Sequence, residues 1–176
     1  MNDVILIKPT IEYADQIMQI KQEILEAEDR DAFAGCCWLE EYPIVEEWLA
    51  DLEKRENPAT CPEGFVPSSV YLAVRESDDK VIGIIDLRHH IDHPILGLWG
   101  GHMGYSVRPG ERCKGYAKEM LRLNLLNCRE MGISKVMVSC YSWNLASEKV
   151  ILANGGVFEK TVDIDDGQIK RYWINL

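Results

Sequence analysis

A turn rich in glycine and basic residues is the part of this sequence best suited to bind an anion. The stretch Gly104–Leu121 predicts a strand, a turn and a helix that begins near Gly115. The first amide groups of a helix have no acceptor within the helix, and the helix dipole makes that end positive. Arg112 and Lys114 add two full charges at the same place. We therefore expect a phosphate or diphosphate ligand here.

The turn lacks parts of two common nucleotide-binding motifs, which reduces the number of possible phosphate ligands. Gly110 and Gly115 have the spacing of a P-loop. Tyr116 and Ala117, however, stand where that motif needs Lys and Ser or Thr, which disfavours magnesium-nucleotide chemistry. No Gly-x-Gly-x-x-Gly dinucleotide fingerprint follows the first strand. The turn instead fits the pattern Arg-x-x-Gly-x-Ala over residues 112–117, although an ordinary strand-to-helix turn with a capping glycine could show the same residues.

Composition excludes several kinds of partner. The net charge of −10 and the isoelectric point near 4.9 argue against a nucleic-acid backbone, and they are compatible with a cationic amine substrate or simply with a solvated acidic surface. No apolar run approaches the ~20 residues that span a bilayer, and no export signal is evident. The six cysteines lack paired metal spacing. We expect a cytoplasmic protein with reduced thiols, no metal and neither a membrane nor a nucleic-acid partner.

Hydrophobic periodicity predicts the element order β-α-α-β-β-β-α-β-α-β-β. The fold class is therefore α/β or α+β, with a mixed, mostly antiparallel sheet, helices on both faces, and a single domain over residues 1–176. The predicted strands are 4–8, 69–75, 81–88, 101–107, 135–140, 157–164 and 169–174, and the predicted helices are 11–26, one following Pro43, one from about 115 to 131, and 145–153.

Two motifs in this order resemble the GNAT superfamily of acyl-CoA N-acyltransferases. The Arg-x-x-Gly-x-Ala turn is similar to the diphosphate loop of that superfamily, and Asn144-x-x-Ser147 followed by Asn154-Gly-Gly156 is similar to the segment after its fifth strand. Residues 100–117 together with the closing Arg171-Tyr-Trp-Ile174 further resemble a bacterial branch labelled only as predicted acetyltransferases. The resemblance covers nearly the whole chain and implies that strands four and five splay apart around the cofactor.

The resemblance also implies where acetyl-CoA, the acyl donor, would lie. The main chain of Tyr105–Val107 would bind the pantetheine arm, and the Val107 amide would polarise the thioester carbonyl. The amides of residues 113–117 would hold the diphosphate, and Asn144, which is equally explained as a helix N-cap, would reach the pantetheine or the thioester. The cofactor-binding residues predicted in this way are Tyr105, Val107, Arg112, Cys113, Lys114, Gly115, Tyr116, Ala117 and Asn144.

Acetyl transfer to an amine requires a group that removes a proton from that amine. An alkylamine has a pKa of about 10, so only about one molecule in a thousand is neutral at pH 7. Relatives that use a strand-four carboxylate place it shortly before the arginine of the loop, and here that region contains His102. His102, with an ordinary pKa of ~6.5, is therefore the predicted base, acting directly or through a water. Asp86, His89 and His90 are the alternatives.

The chain departs from the superfamily at the group that protonates the leaving thiolate. Many relatives carry a tyrosine seven residues after the motif asparagine, and that position is Ile151 here. Tyr141 is the predicted substitute, with Tyr105 and Tyr116 as alternatives. A thiolate with a pKa of ~8.5 is also a tolerable leaving group without any acid.

The predicted function is an N-acetyltransferase that moves an acetyl group from acetyl-CoA to a small-molecule or peptide amine by direct attack in a ternary complex. The alternatives are a non-catalytic acyl-CoA-binding regulatory module, favoured by Ile151 and by the absence of a carboxylate near position 102, and an unrelated phosphate binder. No motif identifies the acceptor, for which residues 26–68 and 89–100 are expected to form the rim, with 26–31 an exposed charged turn. The closing hairpin permits a homodimer without requiring one.

Overall fold

The computed structural model describes residues 3–176, which form a layered α/β fold in the predicted element order. Short 3₁₀ turns occur at Ile11–Tyr13, Leu39–Glu41 and Pro109–Glu111, and a π-helical turn spans Leu96–Gly100. The strands are β1 Val4–Ile7, β2 Ser68–Arg75, β3 Lys80–Arg88, β4 Tyr105–Val107, β5 Lys135–Tyr141, β6 Val157–Ile164 and β7 Gly167–Asn175, and the helices are α1 Ala14–Glu26, α2 Val45–Glu56, α3 Tyr116–Glu130 and α4 Leu145–Ala153.

Among the described residues the strands form two sheets, with orders β1-β2-β3-β4 and β5-β7-β6, and every hydrogen-bonded pair is antiparallel. Just before β4 the two sheets are linked by a pair of hydrogen bonds, in which the His102 amide donates to the Met137 carbonyl (2.8 Å) and the Met137 amide donates to His102 Nδ1 (2.9 Å). We call this pair of bonds the sheet clip. The sequence predicted one mixed sheet, whereas the described residues form two sheets that share a core and are linked by the clip.

Strand β4 is shorter than the sequence predicted, because residues 102–104 keep only single backbone bonds to β3, from the Arg88 amide to the His102 carbonyl (2.7 Å) and from the Asp86 amide to the Gly104 carbonyl (3.1 Å). Gly101 has a φ of 69°, which is outside the strand region. The Asp86 carboxylate accepts a hydrogen bond from the Gly104 amide (2.5 Å), so a side chain replaces a strand partner there. Regular pairing with β3 therefore begins at Tyr105 and covers three residues.

Helices cover both faces of the first sheet, as predicted. Successive side chains of a strand point to opposite faces. On β2, Leu72 and Val74 pack with α1 and α2, whereas the intervening Ala73 packs with α3. Burial of both faces fixes the register of β2 and β3 and makes this sheet the rigid support of the site.

The segment between α1 and α2 crosses one face of β4 in a constrained conformation. Ser106 Oγ donates to the Ala34 carbonyl (2.8 Å), which ties the segment to the strand. Gly35 has a φ of 76°, and a Cβ at this position would lie 2.1 Å from the Gly104 carbonyl oxygen. Four non-glycine residues nearby also have positive φ, a conformation that costs about 1 kcal/mol or more each: Glu28, Phe33, Cys37 and Trp38.

We predict that Gly35→Ala destabilises the fold much more than Gly64→Ala. Both glycines have positive φ, but a Cβ on Gly64 would meet nothing within 4 Å. Gly64→Ala should therefore cost only the left-handed strain of about 1–2 kcal/mol. Gly35→Ala should add about 1–3 kcal/mol for the clash with β4. Urea unfolding of the two variants measures the difference, and equal losses would show that the segment does not press on β4.

Candidate active site

The open edge of β4 presents unpaired backbone groups to a cleft. The Arg108 amide donates to the Ile82 carbonyl, and the Gly104 carbonyl accepts from the Asp86 amide, so even-numbered residues of β4 face β3. Backbone groups alternate in direction along a strand, so those of Tyr105 and Val107 face away from β3. This is the edge that lies beyond the sheet clip, on the side toward β5. The structure thus places both predicted backbone donors at the opening between the sheets.

A cavity of about 700 Å³ lies along this edge, and we call it the α3 cavity. It is bounded by the segment before α2, the open edge of β4, the start of α3 and the start of α4. Eight of the nine predicted cofactor-binding residues line it, namely Tyr105, Val107, Arg112, Cys113, Gly115, Tyr116, Ala117 and Asn144.

The start of α3 is an uncapped helix terminus that opens into the α3 cavity. Gly115 occupies the N-cap position with a φ of 88°, and no side chain caps the helix. Cys113 also has a positive φ of 61°. Left-handed residues interspersed in such a turn direct successive amide groups toward one point, which forms a concave anion site. With the helix dipole behind it, this turn suits a phosphate.

The two basic residues of the turn are placed differently. Arg112 lines the cavity, where Nε donates to the Val107 carbonyl (3.1 Å) and Nη2 forms an ion pair with Asp29 (2.6 Å). The side chains of Arg112 and Asp29 are 37% and 36% exposed, so this pair can exchange partners. Lys114, which we predicted beside the diphosphate, does not line the cavity and instead donates to Glu111 (3.0 Å) and to the Gly110 carbonyl (2.9 Å).

Glu111 anchors the turn from below, a role that the sequence analysis did not identify. Its buried carboxylate accepts hydrogen bonds from Lys80, Lys114 and Arg75, and these cations lower the pKa of Glu111 to about 2. Arg75 also donates to the Tyr116 hydroxyl (2.9 Å), which draws that hydroxyl into the same network. No local pattern reveals this role, because Arg75 and Lys80 approach from the β2–β3 hairpin.

Hydroxyl groups meet at the start of α4. The Asn144 side chain accepts from the Ser147 amide (3.0 Å) and so caps α4, while its Nδ2 lies 3.5 Å from the Asp31 carboxylate. The Tyr105 hydroxyl lies 2.7 Å from Ser147 Oγ, and burial raises the pKa of Tyr105. This pair can pass a proton to a group in the α3 cavity.

A second cavity of about 590 Å³ joins the first, and we call it the aromatic cavity. The two share lining residues at the start of β4 and on the segment that crosses it. A ligand in one cavity can therefore touch a ligand in the other. The shared residues are Asp31, Phe33, Ala34, Met103, Gly104 and Ser139, and the rings that line the aromatic cavity are Phe33, Trp38, Phe65, Trp99 and Tyr141.

His102, the predicted base, lies outside both cavity linings. It is 5% exposed, and its Nδ1 accepts the Met137 amide, which leaves the proton of the neutral ring on Nε2. Burial lowers the pKa of His102 and favours this neutral form. The lone pair that a base needs is thus already used in the sheet clip, so the structure does not bring His102 to the site as predicted.

The alternative bases differ in access. Asp86 lines the aromatic cavity, and burial raises the pKa of Asp86. Its carboxylate is already paired with Arg88 (3.0 Å) and with the Gly104 amide, which makes it less available as a base. His89 contacts Ser69 Oγ (3.0 Å) and lies outside both linings, as does the exposed His90.

Asp31 is the titratable group at the junction that the sequence analysis missed. It lines both cavities, and burial raises the pKa of Asp31 against the opposing hydrogen bond from Asn144. The sequence places it in a run of charged residues that predicts a solvated turn, and residues 26–30 are indeed exposed. Only the crossing of this segment over β4 distinguishes Asp31 from its neighbours.

Tyr141, the predicted acid, lines the aromatic cavity and stacks on Trp143 with ring centroids 5.2 Å apart. Burial raises the pKa of Tyr141, so the phenol is protonated at neutral pH. Ile151, at the position where relatives carry tyrosine, is fully buried in the core beside α3. The candidate acids are therefore Tyr141 on the aromatic side and the Tyr105–Ser147 pair on the α3 side.

The part of the chain that the structure describes contains no helix that is both long and apolar enough to cross a membrane. Within residues 3–176 no three His, Cys, Asp or Glu side chains cluster in a way that could hold a metal ion.

The sequence matches one protein-family model. The family is described as an acetyltransferase (GNAT) domain, and the match covers residues 4–157. No curated protein sequence matches the chain.

Several solved structures share the fold at low sequence identity. The chain aligns over its whole length with 96% of RimL, a ribosomal L7/L12 α-N-protein acetyltransferase in complex with coenzyme A, at 15% identity and a TM-score of 0.68. It aligns as completely with 96% of an acetyltransferase from Salmonella typhimurium that modifies the N-terminal serine of L7/L12, at 14% identity and a TM-score of 0.67. It also aligns with 94% of the microcin C7 self-immunity acetyltransferase MccE in complex with acetyl-CoA and AMP, at 15% identity and a TM-score of 0.66.

We predict that the Asp31 carboxyl titrates above the usual aspartate pKa of ~3.9, because its surroundings disfavour the charged form. Asn144→Ala should raise the pKa of Asp31 further by removing the hydrogen bond that stabilises the carboxylate. Asn154→Ala, at the other end of α4, is the matched control and should leave it unchanged. Carbon-detected NMR titration measures the pKa, and an Asp31 value below the usual range would contradict the geometry.

Proposed function

Because the chain belongs to the GNAT acetyltransferase domain family, we propose that it transfers the acetyl group of acetyl-CoA to an amine by direct attack in a ternary complex. The observation that carries this proposal is the meeting of two cavities at the open edge of β4, one with an anion site and the other with aromatic walls. Each cavity would hold one of the two substrates.

The acyl donor would occupy the α3 cavity. The amides of residues 113–117 and Arg112 would hold the diphosphate, and the pantetheine arm would pair with the open edge of Tyr105–Val107. The Val107 amide would donate to the thioester oxygen as negative charge develops there, which is the usual role of an oxyanion donor. Asn144 would contact the arm near the thioester while it caps α4.

The acceptor amine would enter through the aromatic cavity and reach Asp31 at the junction. Asp31 would take one proton from the ammonium, and the neutral nitrogen would then attack the thioester carbon. The tetrahedral intermediate would collapse by breaking the C–S bond, and the second amine proton would pass to solvent water, from which the tyrosine that protonates the thiolate would regain its own proton. The leaving thiolate would take a proton from the Tyr105–Ser147 pair or from Tyr141. No covalent enzyme intermediate is needed.

Asp31 is a better placed base than His102, which we predicted from the sequence. Asp31 lines both cavities, whereas the Nδ1 lone pair of His102 is bound to Met137. The catalytic roles of His102 and Tyr141 remain predictions.

The whole chain, residues 1–176, would form one domain. Strand β7 lies between β5 and β6, so the C-terminal hairpin beyond the matched residues completes the second sheet. A cytoplasmic location, a homodimer, and the absence of metal, membrane and nucleic-acid partners remain predictions.

The direct test of the proposed function is an acceptor screen that follows acetyl-CoA-dependent release of free CoA. A panel of small amines and peptides should contain at least one that is acetylated, with mass spectrometry placing the acetyl group on nitrogen. Tight binding of acetyl-CoA without turnover on any amine would favour the alternative, a non-catalytic acyl-CoA-binding module.

We predict that His102→Asn keeps most of the activity and that Asp31→Asn does not. The amide oxygen of asparagine can accept the Met137 amide as Nδ1 does, so the sheet clip is preserved while the titratable ring is lost. Removal of a general base costs about 10²–10⁴-fold in kcat. Asp31→Asn should show that loss at an unchanged Kd for acetyl-CoA. Steady-state kinetics measure both, and a loss confined to His102→Asn would restore the base predicted from the sequence.

The pH profile has a defined direction under this proposal. A base works in its deprotonated form, so kcat/KM should fall as the pH drops through the raised pKa of Asp31. Asp31→Asn should remove this acidic limb from the profile of residual activity. An acidic limb that persists in Asp31→Asn and disappears in His102→Asn would contradict the assignment.

Substitutions of Arg112 and of its partner Asp29 should change the affinity for CoA in opposite directions. Arg112→Ala should raise the Kd of CoA by about tenfold, since it removes a charge-assisted hydrogen bond to phosphate. Asp29→Asn should lower the Kd, because the phosphate no longer competes with a carboxylate for Arg112. Arg122→Ala, which removes an exposed arginine of α3 paired with Glu119, is the control and should have no effect. Calorimetry measures the Kd of CoA for each variant. Weaker CoA binding by Asp29→Asn would indicate that the diphosphate binds away from Arg112.

A further inference from the structure

Two arginines line the aromatic cavity and keep part of each guanidinium group free. Arg55 comes from α2, and Arg88 is the last residue of β3. Their side chains are only 13% and 21% exposed, so both lie in the wall rather than on the outer surface. The atoms that each guanidinium leaves unbonded therefore decide what this wall can bind.

Arg55 is fixed in orientation while its outer edge stays open. Its Nε donates to the Asp51 carboxylate, and its guanidinium carbon lies 4.5 and 4.6 Å from the ring centroids of Trp38 and Phe65. These contacts hold the guanidinium against the two rings. Within residues 3–176, Nη1 and Nη2 of Arg55 make no hydrogen bond, and neither atom is buried. Both terminal nitrogens are thus available to a ligand.

Arg88 keeps one terminal nitrogen free in a similar way. Its Nε pairs with Asp86 (3.0 Å), and Nη1 donates to the carbonyls of Gly100 (2.8 Å) and Gly101 (3.2 Å). In the part of the chain that the structure describes, Nη2 has no hydrogen-bond partner and is not buried. A guanidinium whose plane is already fixed loses little conformational freedom when it binds a carboxylate.

Both guanidinium groups lie near the Cys37 thiol. Arg55 packs on the ring of Trp38, the next residue in the chain. Burial raises the pKa of Cys37 to about 12, and the charges of Arg88 and Arg55 oppose this rise. Ser68, whose side chain also lines the cavity, is the strand partner of Arg88. We call this part of the cavity, formed by Cys37, Arg55, Ser68 and Arg88, the arginine pocket.

The acidic side chains of the lining leave the arginine pocket unfilled. Asp86 already uses its carboxylate on Arg88 Nε and on the Gly104 amide. Among the described residues, Asp31 and Glu40 form no ion pair with either arginine. Glu40 is exposed at the rim, and Asp31 lies at the junction with the α3 cavity, which neither arginine lines. The cavity thus offers a negative group at the junction and free cationic N–H groups away from it.

The rest of the wall is apolar. Rings come from the segment before α2, from the loop before β2, from the π-helical turn and from β5. Aliphatic side chains of Ile95, Leu96 and Ile169 complete this surface. A hydrocarbon or aromatic group of a ligand can fill the volume between these side chains.

Building on the proposed function, we propose that the acceptor is a free amino acid with an apolar side chain, whose carboxylate is bound by Arg55 and Arg88 in the arginine pocket. Its ammonium group would pair with Asp31 at the junction, and its side chain would contact the rings. Charge-assisted hydrogen bonds from arginine to carboxylate are strong and directional. Because the zwitterion has no net charge and each end meets the opposite charge, neither end is buried without a partner.

The matched acceptors for the test are phenylalanine, phenylalanine amide and phenethylamine, which share a ring and an amine and differ in the group on the amine-bearing carbon. Glycine tests the need for an apolar side chain, and the dipeptide phenylalanylglycine tests a peptide acceptor. Calorimetry with the protein alone and with the CoA-saturated protein measures binding independently of turnover. We expect phenylalanine to bind about 10²-fold more tightly than phenethylamine or glycine and about 10-fold more tightly than its amide, which is a weaker, neutral acceptor for arginine.

Arg55→Gln should reduce the preference for phenylalanine over phenethylamine about 10-fold, because it removes the charged fork. Arg88→Lys, which keeps a charge but lacks Nη2, should reduce the preference as well. A purely structural effect would weaken both ligands equally and leave their ratio unchanged. Lys54→Gln removes an exposed charge from the same helix outside the lining, so it is the matched control and should keep the wild-type ratio.

The outcomes separate the two proposals. Tighter binding of phenylalanine that falls in Arg55→Gln supports the amino-acid acceptor even if no CoA is released, and missing release would then count against the proposed function alone. Equal or weaker binding of phenylalanine than of phenethylamine, glycine or the dipeptide would overturn the inference, as would no binding of any of these acceptors. A preference for phenylalanine that survives in both arginine variants would also overturn it. These results would leave acetyl transfer to other amines open.

Discussion

The structure depends on a constraint at one point, where His102 and Met137 join two antiparallel sheets through a backbone bond and a side-chain bond. A longer ladder between β4 and β5 would satisfy the backbone groups of Tyr105 and Val107 and close the cleft. Because no such ladder forms among the described residues, the backbone groups of Tyr105 and the Val107 amide stay open on a rigid sheet that is buried on both faces, while the Val107 carbonyl accepts from Arg112. An unpaired strand edge is costly unless something covers it. Here a ligand can cover it.

The charged groups around this edge give the two cavities electrostatic potentials of opposite sign. At the start of α3 the uncapped amides and Arg112 are positive, and Glu111, which also lines the cavity, is neutralised by Arg75, Lys80 and Lys114. At the junction Asp31 is negative, and the arginines of the aromatic cavity are each paired with an acidic residue through Nε. An anionic donor and the ammonium group of an acceptor would therefore be drawn to opposite sides of one short gap.

Features that depend on neighbouring residues could be predicted from the sequence, whereas features that depend on contacts between distant residues could not. The order of strands and helices, the start of α3 at Tyr116 and the cap at Asn144 arise from neighbouring residues, and the structure has them where periodicity and spacing predicted. The base could not be read in this way. Asp31 becomes part of the site only because its segment crosses β4, and His102 leaves it because a residue 35 positions away takes its lone pair. Both depend on contacts between distant parts of the chain, which a motif does not record.

The central claim is that the splayed edge of β4 holds acetyl-CoA with its thioester beside Val107 and Asp31. A crystal structure of the complex with acetyl-CoA tests this most directly. The account predicts the diphosphate on the amides of residues 113–117, Arg112 turned from Asp29 to phosphate, and the thioester oxygen within hydrogen-bond distance of the Val107 amide. Density for the cofactor outside the α3 cavity, or a thioester remote from Val107 and Asp31, would contradict it.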